Sequence, residues 1–159
     1  MTFKVNIYIE TDSACVKKQY RAWGFIVEYV KKNGEHAKRD DGEIIRATRN
    51  QAMLIALNEA LRLLLQPCEI TVYMDNKYVS GHIQNEDVDK WQQNGWKNAR
   101  NEEIANVEEW KEYIKLIKGH NITFSHANSY ADKNALKRKV QEAMKQRNDW
   151  QQQRIDGGF

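Results

Sequence analysis

Residues 3–12 read FKVNIYIETD and residues 69–79 read EITVYMDNKYV. In the first stretch Val5, Ile7 and Ile9 alternate with Asn6, Tyr8, Glu10 and Asp12. That period of two predicts a strand with one buried face. Glu69–Asp75 predicts a second strand, with Thr71, Tyr73 and Asp75 on one face. Each stretch ends on an aspartate. If the two strands are parallel neighbours, both carboxylates stand side by side at one edge of the sheet. Paired carboxylates repel and raise each other's pKa. A hard divalent cation such as Mg²⁺, which takes oxygen ligands, relieves that repulsion. The rival reading makes Asp75, just before Asn76-Lys77-Tyr78-Val79, an ordinary helix N-cap.

The remaining segments build outward from these two strands. Residues 22–31 (AWGFIVEYVK) are aromatic and β-branched, and Asn33-Gly34 is a tight-turn dipeptide. Residues 35–46 then form an exposed antiparallel strand with an irregularity at Asp41-Gly42. From Asn50 to Leu65 the period changes, with Met53, Leu57, Ala60, Leu61 and Leu64 recurring at three and four, which predicts a buried helix stopped by Pro67. Helices are expected at Lys77–Gln84, Asp89–Asn98, Ala105–Ile117 and Tyr130–Arg147, and a last strand at Asn121–His126. The order βββαβαααβα predicts an α/β domain, a five-stranded mixed sheet with helices on both faces. Residues 1–148 are expected to form this one domain. Residues 149–159 have little to bury and are expected to form a flexible tail.

The composition excludes several classes. Of 159 residues, 41% are hydrophobic and 30% charged, which suits a soluble fold. No apolar run approaches the roughly 20 residues of a membrane span, so no membrane partner is expected. The N-terminus alternates and reaches Glu10 without a signal-peptide core. Two cysteines, Cys15 and Cys68, are too few for a disulfide scaffold and read as small buried residues, so a cytoplasmic setting is expected. The net charge of +3 permits a polyanionic partner without requiring one.

Six motifs occur in order along the chain. They are Thr11-Asp12-Ser13-Ala14-Cys15, the helix start Thr48-Arg49-Asn50-Gln51-Ala52-Met53-Leu54, and Met74-Asp75-Asn76-Lys77-Tyr78-Val79. Then come Gly95-Trp96-Lys97, Asn106-Val107-Glu108-Glu109-Trp110 and His126-Ala127-Asn128-Ser129-Tyr130-Ala131-Asp132. With these motifs the chain resembles the type I ribonuclease H family over residues 3–147. The resemblance implies a ribonuclease H-like fold and a metal-dependent endoribonuclease that hydrolyses the RNA strand of RNA–DNA hybrids. It further implies two Mg²⁺ or Mn²⁺ ions on four carboxylates, one activating water and one stabilising the leaving oxygen. Asp12, Asp75 and Asp132 match three of those acids, with Asp12 shared by both ions.

The fourth acid is absent, because Met53 stands at the family's helix glutamate. A neutral, soft thioether does not replace a carboxylate on Mg²⁺, so a weaker second ion and slower turnover are expected. Glu59 points about 240° away on the same helix and is a poor substitute. Glu10 lies on the same strand face as Asp12, about 6.6 Å upstream, and is the better candidate ligand; otherwise it pairs with a lysine. His126 matches the fixed histidine at the family's last strand and is a catalytic candidate, against a purely structural role. The family's glycine-rich loop is replaced by Val16-Lys17-Lys18-Gln19-Tyr20-Arg21-Ala22.

The family reads the minor groove of a hybrid through 2′-hydroxyls and phosphates. Matching positions are Arg49, Asn50 and Gln51 at the helix start, where amides and a helix N-terminus suit that surface; alternatively Asn50 only caps the helix. Trp96 and Lys97 mark the family's basic handle, and Lys17 and Lys18 add charge beside the first strand. Two readings follow: a monomeric nuclease acting on hybrids, or a catalytically impaired module that binds nucleic acid or protein through the same fold.

Overall fold

The computed structural model describes residues 3–125 and 133–157. Its elements are β1 (Phe3–Thr11), β2 (Gln19–Val30), β3 (His36–Ala47), α1 (Arg49–Leu61), β4 (Cys68–Tyr73), α2 (Lys77–Gln84), α3 (Asp87–Gln93), α4 (Val107–Leu116), β5 (Asn121–Ser125) and α5 (Lys133–Gly157). The strands lie in the order β3-β2-β1-β4-β5. β1, β2 and β3 pair antiparallel, and β1, β4 and β5 pair parallel. This is the expected mixed sheet, and the parallel β1–β4 pairing on which the aspartate argument depends is present.

Period-two patterning decides which face each side chain takes. Val5, Ile7 and Ile9 of β1 share a face with Trp23, Phe25 and Val27 of β2 and Ile70 and Val72 of β4. Against that face pack Ala52, Met53, Leu54, Ala56, Leu57, Ala60 and Leu61 of α1, with Trp110 and Tyr113 of α4 beyond them. Each large apolar side chain buried there contributes about 2 kcal/mol. The opposite face carries Asn6, Tyr8, Glu10 and Glu28, and α5 crosses it. A Cβ at Gly24 would stand 2.9 Å from Val140 Cγ1 and 3.2 Å from Leu136 Cδ1, so the missing side chain is what lets α5 come close.

Several boundaries differ from the sequence expectations for local reasons. α1 starts at Arg49 because Thr48 caps it, accepting from Gln51 N at 3.1 Å. It ends at Leu61, where Leu63 and Leu64 bond back three residues, leaving Leu65 88% exposed. α3 covers Asp87–Gln93 rather than Asp89–Asn98, because Gly95 and Trp96 take positive φ. α4 starts at Val107, after Asn106 at φ 59°. The β2–β3 ladder runs unbroken through Gly24 opposite Gly42, so Asp41-Gly42 does not interrupt it. Cys15 is exposed, against expectation, because it falls in the loop after β1; Cys68 is buried. α5 runs on to Gly157, so residues 149–157 are helical. The side chains of residues 149–154 are largely exposed, which is why the sequence shows no apolar stripe there.

Candidate active site

Asp12 follows β1 directly. Its N–H donates to Ala22 O at 3.0 Å, and its Oδ1 accepts from Ala22 N at 2.8 Å. Two bonds to one residue of β2 therefore fix its backbone and one carboxylate oxygen. Asp75 follows β4, one residue beyond the buried Met74, and is exposed. The cap of α2 is not Asp75 but Asn76, whose Oδ1 accepts from Val79 N at 2.9 Å. That removes the capping explanation for Asp75. The parallel register ends with Tyr8 opposite Tyr73, and Asp75 follows β4 two residues later in a bend. Asp12 follows β1, and because β1 and β4 run parallel it stands at the same end of the sheet as Asp75.

Glu10 is 8% exposed. Its Oε2 lies 4.0 Å from Lys137 Nζ, which also donates to Thr11 O at 2.7 Å. The lysine is therefore present, and Glu10 meets it on the α5 side of the sheet. Met53 is fully buried in the apolar cluster. Glu59 pairs with Arg62 on the far side of α1. Asp132 and His126 lie outside the described residues. Among the described residues no three His, Cys, Asp or Glu side chains gather into a metal cage.

Beside Asp12 sits Arg21, which the sequence reading placed only in the basic stretch that replaces the glycine-rich loop. Arg21 is fully buried, and its Nε donates to Ala47 O at 3.0 Å while Nη2 donates to Cys15 O at 2.7 Å and Lys17 O at 2.8 Å. It ties the loop after Asp12 to the end of β3, immediately before the cap of α1. Burial pulls its guanidinium below the ordinary value, and the charge of Asp12 opposes that shift. Its structural role went unread because the expected strand began at residue 22, whereas β2 starts at Gln19 and takes Arg21 into the sheet.

The predicted substrate contacts divide into two groups. Asn50 Oδ1 accepts from Asn76 Nδ2 at 3.0 Å, and Gln51 Nε2 donates to Glu109 Oε1 at 2.8 Å. These amides join α1 to the cap of α2 and to α4, and neither caps α1. Arg49 Nε is buried with no hydrogen-bond partner among the described residues. Lys17 and Lys18 are exposed on the loop that Arg21 holds. These residues gather where β1 ends and α1 begins. Trp96 and Lys97 stand apart, in the α3–α4 connection. There Trp96 N donates to Trp91 O at 2.7 Å, and Lys97 forms an isolated bridge with Glu103. Trp110 is core, packed against Tyr78, His82, Trp91 and Tyr113.

The sequence model of the RNase H family matches residues 4–139. The chain belongs to the RNase H family. Among its relatives, the ribonuclease H of Acetivibrio thermocellus is 38% identical over 131 residues, covering 81% of this chain and 84% of that protein. The ribonuclease H of Clostridium botulinum is 36% identical over 134 residues, covering 81% and 85%. In structure the chain is similar to LC9-RNase H1, described as a type 1 RNase H with the type 2 active-site motif. The TM-score is 0.67 at 22% identity, over 90% of this chain and 71% of that one. It is also similar to the foamy viral protease-reverse transcriptase in complex with an RNA/DNA hybrid, at TM-score 0.65 and 16% identity, over 87% of this chain and 19% of that one.

RNase H enzymes are generally divalent-metal dependent, and the residues in place fit one such cation. Asp12 has an oxygen beyond the one held by Ala22 N, and Asp75 is exposed at the same end of the sheet. Both are hard oxygen donors. Met53, buried and soft, does not fit as a ligand for a second ion.

Proposed function

We propose that this chain hydrolyses the RNA strand of RNA–DNA hybrids, with Mg²⁺ or Mn²⁺ held by Asp12 and Asp75 and completed by Asp132. The observation that supports this reading is that Asp12 and Asp75 follow the carboxyl ends of two adjacent parallel strands of an RNase H sheet. A bound divalent cation supplies Lewis-acid polarisation of the scissile phosphate and of the attacking water. The chain's own residues do the rest. The Ala22 backbone orients Asp12, and Arg21 holds the Cys15–Lys17 loop against the start of α1. Arg49, Lys17 and Lys18 offer positive charge to the phosphate backbone, and Asn50 and Gln51 stiffen the helix start through their bonds to Asn76 and Glu109. His126 and Asp132 keep their proposed roles in turnover and in binding the cation.

Glu10 serves as the partner of Lys137 rather than as a ligand. The loss of a carboxylate at Met53 weakens the second ion and slows turnover. A monomer in a reducing cytoplasm is the proposed setting; among the described residues no helix is long and apolar enough to cross a membrane.

End-labelled hybrid incubated with the protein and Mn²⁺ tests the proposal. Cleavage of the RNA strand is expected, and Asp12→Asn should reduce it by about a hundredfold or more, the equivalent of about 3 kcal/mol of lost stabilisation. Equal cleavage by the two proteins would reject the assignment. The burial of Met53 favours a second reading, a module that binds hybrid without cutting it. Tight binding without cleavage, in either metal, would select that one.

A further inference from the structure

Two exposed aromatic side chains each carry an arginine on the ring. Tyr20 is 48% and Trp150 53% exposed. Arg147 Cζ lies 3.9 Å from the Tyr20 ring centroid, and Arg154 Cζ lies 5.1 Å from that of Trp150. Arg147, Trp150 and Arg154 are spaced by three and four on α5, so they share one helix face within an arc of about 60°. Tyr20 sits on β2 two residues before Ala22, the residue that holds Asp12. The strip therefore starts about 7 Å from the anchor of the candidate site and runs outward along α5 for about 10 Å.

Charge selects the occupant. Asp149, the acid next to Trp150, is bonded to Lys145 at 3.0 Å. Among the described residues no carboxylate pairs with Arg147 or Arg154. An arginine lying flat on a ring keeps its N–H edge available to a phosphate, while an exposed aromatic face accepts a stacked base. Alternating cation and aromatic is the arrangement that tracks a sugar-phosphate chain with unpaired bases. A duplex hides its base faces, so only an unpaired strand can use the rings.

We propose that the strip Tyr20–Arg147–Trp150–Arg154 holds a single-stranded nucleic-acid segment continuing from the hybrid at the aspartate edge. This deepens the ribonuclease H reading by adding a single-stranded part to the substrate, and it rests on that reading for the duplex part.

The intact chain, at low salt and without added divalent cation, is titrated with a blunt RNA–DNA hybrid and with the same hybrid carrying an oligothymidylate tail at one end or the other. A tail should tighten binding about tenfold and quench tryptophan emission. Trp150→Ala and Arg154→Ala should each remove most of that gain and leave blunt-hybrid affinity unchanged, whereas Trp150→Phe should keep part of it. Equal affinity for blunt and tailed hybrids would overturn the inference and leave the ribonuclease H reading standing. So would a tail gain that survives in the Trp150→Ala, Arg154→Ala double variant. Failure to bind either hybrid would remove both.

Discussion

Met53 sits in the core, on the helix that packs against β1 and β2. The side chain fills the apolar cluster completely, so Met53→Glu places a carboxylate where water does not reach. Without divalent cation this should cost several kcal/mol and lower Tm by about 10 °C. If the position faces the cation site, Mg²⁺ should restore most of that loss and speed hybrid cleavage, while the parent's Tm moves little. Thermal melts of both proteins with and without Mg²⁺ check this; an Mg²⁺-insensitive variant would place position 53 away from the cation. Arg21 is the opposite case, a buried cation whose neighbours are carbonyls. Arg21→Met strips hydrogen bonds from the oxygens of Ala47, Cys15 and Lys17 and should destabilise the protein by about 3 kcal/mol in urea. Amide exchange in residues 13–18 should quicken with it. That Met53 is a buried residue of α1 was legible in the sequence from the recurrence of apolar residues at three and four. The role of Arg21 was not, because carbonyl partners leave no trace in side-chain identity.

Element by element, the patterned stretches were the readable ones. β1, β4 and α1 have strict periods, and their buried faces follow from them, while the parallel pairing of β1 with β4 is seen only in the sheet. The polar face of β1 and β2 was less so. There Glu28, 7% exposed, accepts from Asn6 at 3.0 Å and from the Tyr8 hydroxyl at 3.1 Å, and lies 3.0 Å from His36 Nδ1. Burial pushes the Glu28 carboxyl up, but these partners outweigh it and the net shift is below the ordinary 4.5. A depressed folded value means the unfolded chain binds the proton more readily. The stabilisation is therefore complete above about 4.5 and is lost as pH falls through the lower folded value. Glu28→Gln should be less stable than the parent at neutral pH and should lose less on acidification, as urea midpoints from pH 7 down to pH 3 would show. An identical pH slope in the two proteins would remove Glu28 from the acid limb. The short helices were misplaced by a few residues because their ends are set by positive-φ positions such as Glu86, Trp96 and Asn106, none of them glycine.

For the whole molecule, modest net charge hides cations on two surfaces, Lys17, Lys18 and Arg49 where β1 ends and α1 begins and Lys97 in the α3–α4 connection. If Lys17, Lys18, Arg49 and Lys97 each meet a phosphate, hybrid affinity should fall about a hundredfold between about 50 and 200 mM salt. A flat salt dependence would mean that these side chains face solvent only. The sequence alone determined the element types, their order along the chain and the positions of Asp12 and Asp75 just past strand ends, because hydrophobic period and motif spacing are local quantities; the strand order in the sheet came from the tertiary structure. Only the tertiary structure decided which polar side chains the protein itself consumes. Asn50 is bonded to Asn76, Gln51 to Glu109, and Thr11 O to Lys137, a residue 126 positions away. Such bonds depend on how helices cross a twisted sheet, and their partners are too far apart in the chain for any local pattern to record them.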